Sequence, residues 1–221
     1  MLQQEDNFAY AAMLKLTGKK CVIVGGGKVA ARKLASLAEA GAAVTVVALD
    51  FADELMQTAQ KYDCNLIRSA YDASFLDDAF ITVAATSDDA VNEQITRDAP
   101  MLCNNITSPR LSNFTVPSSF SVGDIHVAVA TGGMPAYTRL LKQFLRNKLS
   151  PDFAEFNSFL QTIRVQLKAL PCTPAERTAF WRGALDEKII NLLEAGQIDQ
   201  AKEQITDAVN SFRAQSQNRP R

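Results

Sequence analysis

The chain has 221 residues, 47% of them apolar, and a formal net charge of -1. That length exceeds one domain of roughly 100 to 200 residues, which predicts one large unit with a smaller appendage, and the near-zero charge without a long Lys/Arg run speaks against nucleic acid or an anionic membrane as the main partner. A small-molecule ligand is the better expectation, in a cytoplasmic protein: MLQQEDNFAY has acids where a secretory leader needs a basic segment, and no apolar run approaches the ~20 residues of a membrane span.

Lys20 to Val24 reads as a short buried strand, and Lys28 to Ala40 as a helix ending at Gly41, where glycine suits the left-handed cap. A second strand, Val44 to Val47, is followed by a helical stretch from about Ala52 to Tyr62 and a strand from Asn65 to Arg68. The apolar run Ala79 to Ala84 fits a strand covered on both faces. Asp88 to Asp98 is predicted helical, with Asp88 and Asp89 as capping carboxylates, and Met101 to Cys103 as another short strand. This alternation predicts an α/β fold, a doubly wound parallel sheet of Rossmann type.

After Asn104 the texture changes, because NNITSPRLSNFTVPSSFSVGD is rich in Ser, Asn, Pro and Thr and holds only brief extended pieces. DIHVAVATGG then alternates, Ile125, Val127 and Val129 pointing one way and His126, Ala128 and Ala130 the other. Helices follow over 136–149 and 151–170, are interrupted by Pro171 and Pro174, and run on to about Phe212, with SQNRPR expected to fray. Phe153, Phe156, Phe159 and Leu160 fall at helical spacing and are expected to pack, as is Trp181.

Cys21, Cys64, Cys103 and Cys172 lie far apart with no Cys-x-x-Cys pair, so neither a zinc site nor a disulfide framework is expected. With a single histidine, His126, a multi-histidine metal cage is excluded.

The chemistry concentrates in CVIVGGGKVAARK, residues 21–33. Between a strand and a helix, Gly25 permits a tight turn, Gly27 lets the backbone approach a diphosphate with no Cβ in the way, and Ala30 is small enough for close helix–strand packing. The helix start then presents free N–H groups to the negative charge. A dinucleotide is therefore the expected ligand. The carboxylate that would take the adenosine ribose hydroxyls is displaced: Ala48 and Leu49 hold its place and Asp50 comes late, leaving backbone groups of Ala48 and Leu49 as substitutes. As no arginine stands in that stretch to meet a 2′-phosphate, NAD is expected over NADP. There is no Tyr-x-x-x-Lys pair of a short-chain dehydrogenase and no Gly-x-Ser-x-Gly elbow of a hydrolase.

VIVGGGKVAARK, VTVVAL, ITVAATSDDAVN, LCNNITSPRLSNFTVPS and GDIHVAVATGG stand in the order found in the precorrin-2 dehydrogenases, the dehydrogenase and ferrochelatase part of sirohaem synthase, and the chain resembles that family over about residues 14–150. The resemblance implies oxidation of precorrin-2 to sirohydrochlorin with NAD, iron insertion in some members, and a homodimer. It implies an NAD-binding domain over 1–112, a dimerisation segment over 113–150 and a C-terminal helical domain over 151–221. Gly25, Gly26, Gly27, Lys28, Val29, Ala48 and Leu49 would line the cofactor, with Ala85 and Thr86 near its nicotinamide half. Asn104, Arg110 and Arg139 are candidate contacts for the substrate's carboxylates, Lys142 a further one.

The chain departs from the family at Thr107, where the family carries an aspartate implicated in both activities, and at GMPA, 133–136, where Gly-x-Ser-Pro is usual. A threonine hydroxyl is no general base near neutral pH without an activating neighbour. Three accounts remain open: hydride loss needs little side-chain base and Thr107 only orients; His126 or a nearby acid substitutes; or the chain binds its ligands and turns them over poorly. The first is favoured, because dehydrogenation rests on holding the donor carbon against the nicotinamide. Chelation must remove two pyrrole protons, and is expected to be weak or absent. The alternatives are a ferrochelatase without redox function and a noncatalytic NAD- or tetrapyrrole-binding module.

Overall fold

The computed structural model describes residues 10–217. The opening residues 1–9 and the last four, 218–221, on which the leader and fraying expectations partly rest, lie outside them. The chain divides between Val116 and Pro117 into two compact units.

The first unit holds a five-stranded sheet: β1 (Lys20–Val24), β2 (Ala43–Ala48), β3 (Asn65–Arg68), β4 (Ile81–Ala84) and β5 (Leu102–Asn105), all parallel in the order β3-β2-β1-β4-β5. Side chains alternate between its two faces. Cys21 and Ile23 of β1, Val44 and Val46 of β2, and Ile81 and Val83 of β4 pack with Ala30, Ala31 and Leu34 of helix α1 (Lys28–Glu39) and with Leu55 and Ala59 of helix α2 (Asp53–Tyr62). Val22, Val24, Val47 and Ala84 turn the other way, onto Leu76 and onto Ile95 of helix α3 (Asp89–Asp98). Both faces are thus covered, which is why these strands read as continuous apolar runs.

Local chemistry sets the boundaries. α1 stops before Gly41, at φ +80, and α2 at Asp63, at φ +53, both left-handed. Asp88 caps α3 by accepting from the N–H groups of Ala90 (2.9 Å) and Val91 (3.2 Å), the capping role its position in the sequence suggests. A short 3-10 turn over Ala73–Leu76 was not foreseen; Asp72 opens it by accepting from the Ser74 N–H at 2.9 Å, and Leu76 is its apolar anchor.

The second unit starts with an antiparallel hairpin, β6 (Ser118–Val122) and β7 (Ile125–Val129), in which Val122 faces Ile125 across Gly123 and Asp124. β7 alternates as expected, whereas β6 lies in a stretch where the sequence offers only brief extended pieces. Helices α4 (Pro135–Lys148), α5 (Pro151–Lys168) and α6 (Pro174–Ala184) each begin with proline in the first turn, where no intrahelical N–H is lost. Thr173 and Glu176 close a capping box on α6. Helices α7 (Glu187–Glu194) and α8 (Ile198–Gln217) complete a core of Phe156, Ile163, Leu167, Ile189, Leu193, Ile205 and Val209, with Phe153, Phe159, Leu160 and Trp181 packed on its edge. Among the described residues no helix is long and apolar enough to cross a membrane.

Candidate active site

The turn after β1 is where the first unit's backbone comes closest to itself. Gly25, at φ +130, donates its N–H to Val47 O at 2.9 Å, and a Cβ on it would stand 2.2 Å from Ala85 O. A Cβ on Gly26 would stand 1.8 Å from Asp50 O, and Gly26 O accepts from the Ala52 N–H at 2.8 Å. Gly25 therefore holds the end of β1 against the end of β4, and Gly26 holds it against the loop after β2. No side chain fits at either position.

Gly27 differs. A Cβ there would meet nothing within 4 Å, and the residue is exposed. It is the N-cap of α1, with no side-chain cap and no acid in the first turn. The first-turn N–H groups of a helix have no intrahelical acceptor, and the dipole makes that end positive. An open, glycine-faced and uncapped helix start suits a diphosphate, with the N–H groups of Lys28 and Val29 as donors while Ala30 is buried against the sheet. The dinucleotide expected from the sequence fits this cradle.

Ala48 ends β2, and Leu49 follows it, largely exposed. The β2–β3 register sets Ala48 opposite Arg68, so β3 delivers an arginine beside this loop that the sequence stretch around residue 48 does not contain. Arg68 Nη1 donates to Asp50 Oδ1 at 2.9 Å and to Leu49 O at 3.4 Å.

At the ends of β4 and β5 the construction is of buried amides. Asn92, on α3 and fully buried, accepts at Oδ1 from the Thr86 N–H (3.0 Å) and the Thr86 hydroxyl (2.8 Å), and donates from Nδ2 to Thr86 O (3.1 Å) and Thr107 Oγ1 (3.2 Å). Asn105, equally buried, accepts at Oδ1 from the N–H groups of Thr107 (3.1 Å) and Ser108 (2.9 Å) and from the Thr107 hydroxyl (3.2 Å). The Thr107 hydroxyl thus accepts a hydrogen bond from one amide and donates one to the other. Neither neighbour is basic, so the hydroxyl is fixed without being activated. Asn92 and Asn105 are site residues that the sequence does not single out: both stand among other polar residues, in DAVNEQITRD and LCNNITSPR, and only their burial marks them. The Asn104 side chain donates to Phe114 O at 3.5 Å, and its Oδ1 is buried without a partner among the described residues. Arg110 is exposed just after Thr107, in a 3-10 turn over Pro109–Leu111.

The remaining candidates belong to the second unit. His126 is exposed on β7, its Nδ1 2.7 Å from Ser121 Oγ on the paired strand. Arg139 is exposed on α4, and Lys142 reaches Ser119 O at 3.5 Å. The thiols offer no nucleophile in the sheet: burial pushes Cys21 up to about 11 and Cys103 upward too, so both are protonated near neutral pH. Among the described residues no three His, Cys, Asp or Glu side chains gather as metal ligands.

Two family models match the chain, one described as "Putative NAD(P)-binding" over residues 12–118 and one as "Sirohaem synthase dimerisation region" over residues 153–209. The chain is 34% identical over 202 residues to Siroheme synthase 2 of Cronobacter sakazakii, covering 89% of this chain and 44% of that protein. It is 35% identical over 171 residues to the siroheme synthase of Citrobacter koseri, covering 76% of this chain and 37% of that one. The solved structure of SirC, precorrin-2 dehydrogenase, superposes with a TM-score of 0.71 at 27% identity, over 88% of this chain and 99% of SirC. The chain belongs to the precorrin-2 dehydrogenase and sirohaem synthase family. It spans less than half the length of these siroheme synthases and nearly all of SirC. The family's NAD(P)-binding part coincides with the glycine-turn unit, and its dimerisation region lies in the helices of the second unit, within the segment expected from the sequence to be the C-terminal helical domain.

Two substitutions check this geometry. Gly25→Ala is expected to cost upward of about 2 kcal/mol through left-handed strain and the Ala85 O clash, and to abolish NADH fluorescence enhancement. Asn92→Ala, which strands the Thr86 and Thr107 partners, is expected to cost about 3 kcal/mol in urea denaturation. A loss under about 1 kcal/mol would mean that water replaces the amide.

Proposed function

We propose that this chain is an NAD-dependent precorrin-2 dehydrogenase that takes a hydride and a proton from precorrin-2 to give sirohydrochlorin, with iron insertion weak or absent. The observation that carries the reading is the open, uncapped start of α1 behind a turn in which Gly25 and Gly26 have no room for side chains. When bound, the nicotinamide supplies the hydride acceptor. Gly25 to Val29 hold the diphosphate, Ala48 and Leu49 flank the adenosine, and Ala85 and Thr86, locked by Asn92, form the wall of the nicotinamide half. Asn104 and Arg110 meet the substrate, the arginine by charge-assisted bonds to its carboxylates.

Thr107 orients, and the proton leaves to water or to a substrate carboxylate. The support for this division is that the Thr107 hydroxyl is held between two amides, Asn92 and Asn105, with no basic group beside it. A carboxylate at the same place would add the base that removal of two pyrrole protons demands. The chain is placed in the cytoplasm as part of the same proposal, since the free thiols of Cys21, Cys64, Cys103 and Cys172 suit a reducing compartment; cell fractionation checks it.

The homodimer is proposed to form through the second unit, drawing on the 113–150 segment together with the matched helices. Tyr137, Leu140 and Phe144 stand 51%, 64% and 56% exposed along α4 at helical spacing, an apolar stripe that a monomer leaves in water. Sedimentation velocity should find a dimer, and Leu140→Asp with Phe144→Asp should shift it to monomer. A wild-type monomer at micromolar concentration would refute the interface.

Single-turnover absorbance with precorrin-2 and NAD tests the activity. Sirohydrochlorin is expected at a rate proportional to protein, unchanged in His126→Ala, while Thr107→Asp is expected to raise iron insertion. Tight binding of both ligands without turnover would overturn the enzyme in favour of a binding module.

A further inference from the structure

We propose that Asp50 and Arg68 together read the adenosine 2′ position, so that this site accepts NADP as a second, weaker cofactor and the choice between the two is set by one breakable ion pair. This deepens the dinucleotide reading above and rests on it. In sheets of this type the ribose lies at the end of the second strand, where a carboxylate takes its hydroxyls or an arginine takes a 2′-phosphate. Here both groups are present.

Asp50 follows β2 directly after Leu49, and its carbonyl is the atom against which Gly26 packs, 1.8 Å from where a Cβ would be. The Asp50 residue is therefore fixed beside the diphosphate turn, although it comes late in the sequence for the usual acid. Arg68 ends β3 and leans onto the same three-residue loop in three ways: to Leu49 O at 3.4 Å, to Asp50 Oδ1 at 2.9 Å, and over the Phe51 ring with 5.6 Å to its centroid. The side chains of Arg68 and Asp50 are 63% and 83% exposed, so both heads are open to a ligand and their attraction is weakened by water.

The two groups pull in opposite directions. With the pair closed, Asp50 offers its second carboxylate oxygen to the ribose hydroxyls and repels a 2′-phosphate. A 2′-phosphate, carrying close to two negative charges, competes with the single charge of Asp50 for the Arg68 fork, whose planar donors suit its oxygens. Leu49 O and Phe51 keep the guanidinium on the loop once Asp50 lets go.

Fluorescence titration of the full chain with NADH and NADPH tests the assignment. Wild type should bind both, NADH more tightly. Asp50→Ala should weaken NADH and tighten NADPH, raising the NADPH-to-NADH affinity ratio by about ten-fold or more, and NADPH binding should fall with salt. Arg68→Ala should reduce NADPH binding by about ten-fold and change NADH binding far less. Equal effects of each variant on both nucleotides, with wild type binding NADH, would overturn the proposal and make the pair a loop tether. Failure of wild type to bind either nucleotide would overturn the dinucleotide reading itself.

Discussion

Two backbone carbonyls, Ala85 O and Asp50 O, stand where side chains on residues 25 and 26 would have to be. That steric condition governs the first unit. It forces the end of β1 into contact with the end of β4 on one side and with the loop after β2 on the other. In the strand order β3-β2-β1-β4-β5 the chain reverses direction across the sheet between β1 and β4, and ligands of such sheets bind at the carboxyl ends beside that reversal. The glycines do not make the crevice by flexibility; they make it by letting three strand ends converge on a single point. The remaining glycine, Gly27, is spared such contact, and its face is the one left open at the start of α1.

A crevice built from backbone needs its walls fixed by something other than apolar packing, because loops at strand ends have unpaired polar groups. Asn92 and Asn105 supply this. Asn92 satisfies the N–H and C=O of Thr86, Asn105 satisfies the N–H groups of Thr107 and Ser108, and the two are joined by the Asn105 Nδ2 bond to Asn92 O at 3.3 Å. A fully satisfied buried amide is rigid, because every alternative orientation leaves donors without acceptors in a low-dielectric interior. Thr86 and Thr107, one on each loop, are thus held through the same side chain of α3.

The first unit is largely legible in the sequence. β1, β2 and β4 announce themselves as apolar runs because both sheet faces are buried, and Gly41 and Asp88 mark helix ends through chemistry that acts within a few residues. What could not be read is what pairing across the sheet creates. Arg68 is twenty residues beyond Ala48 in sequence and opposite it in register, so the arginine that the ribose region seemed to lack is delivered by β3. β6 was obscure for a related reason: SSFSV carries one buried apolar side chain, Phe120, and owes its strand character to the antiparallel partner β7. Asn92 and Asn105 look like ordinary polar residues until burial shows that water cannot be their partner. Site residues near the glycine turn follow from local geometry, while those that depend on tertiary satisfaction do not.

On the proposed reading the two chemistries of the family make separable demands. Loss of hydride asks that a donor carbon be held at the right distance and angle, and that demand is met by rigid walls with no titrating group among them. Insertion of a metal asks in addition that two protons be accepted from pyrrole nitrogens, which walls alone cannot do. In this chain the position that would accept them is a hydroxyl that donates to Asn105 and accepts from Asn92. Neither amide can take up a proton, so the network that fixes the loops of the crevice adds no base where insertion of a metal would need one.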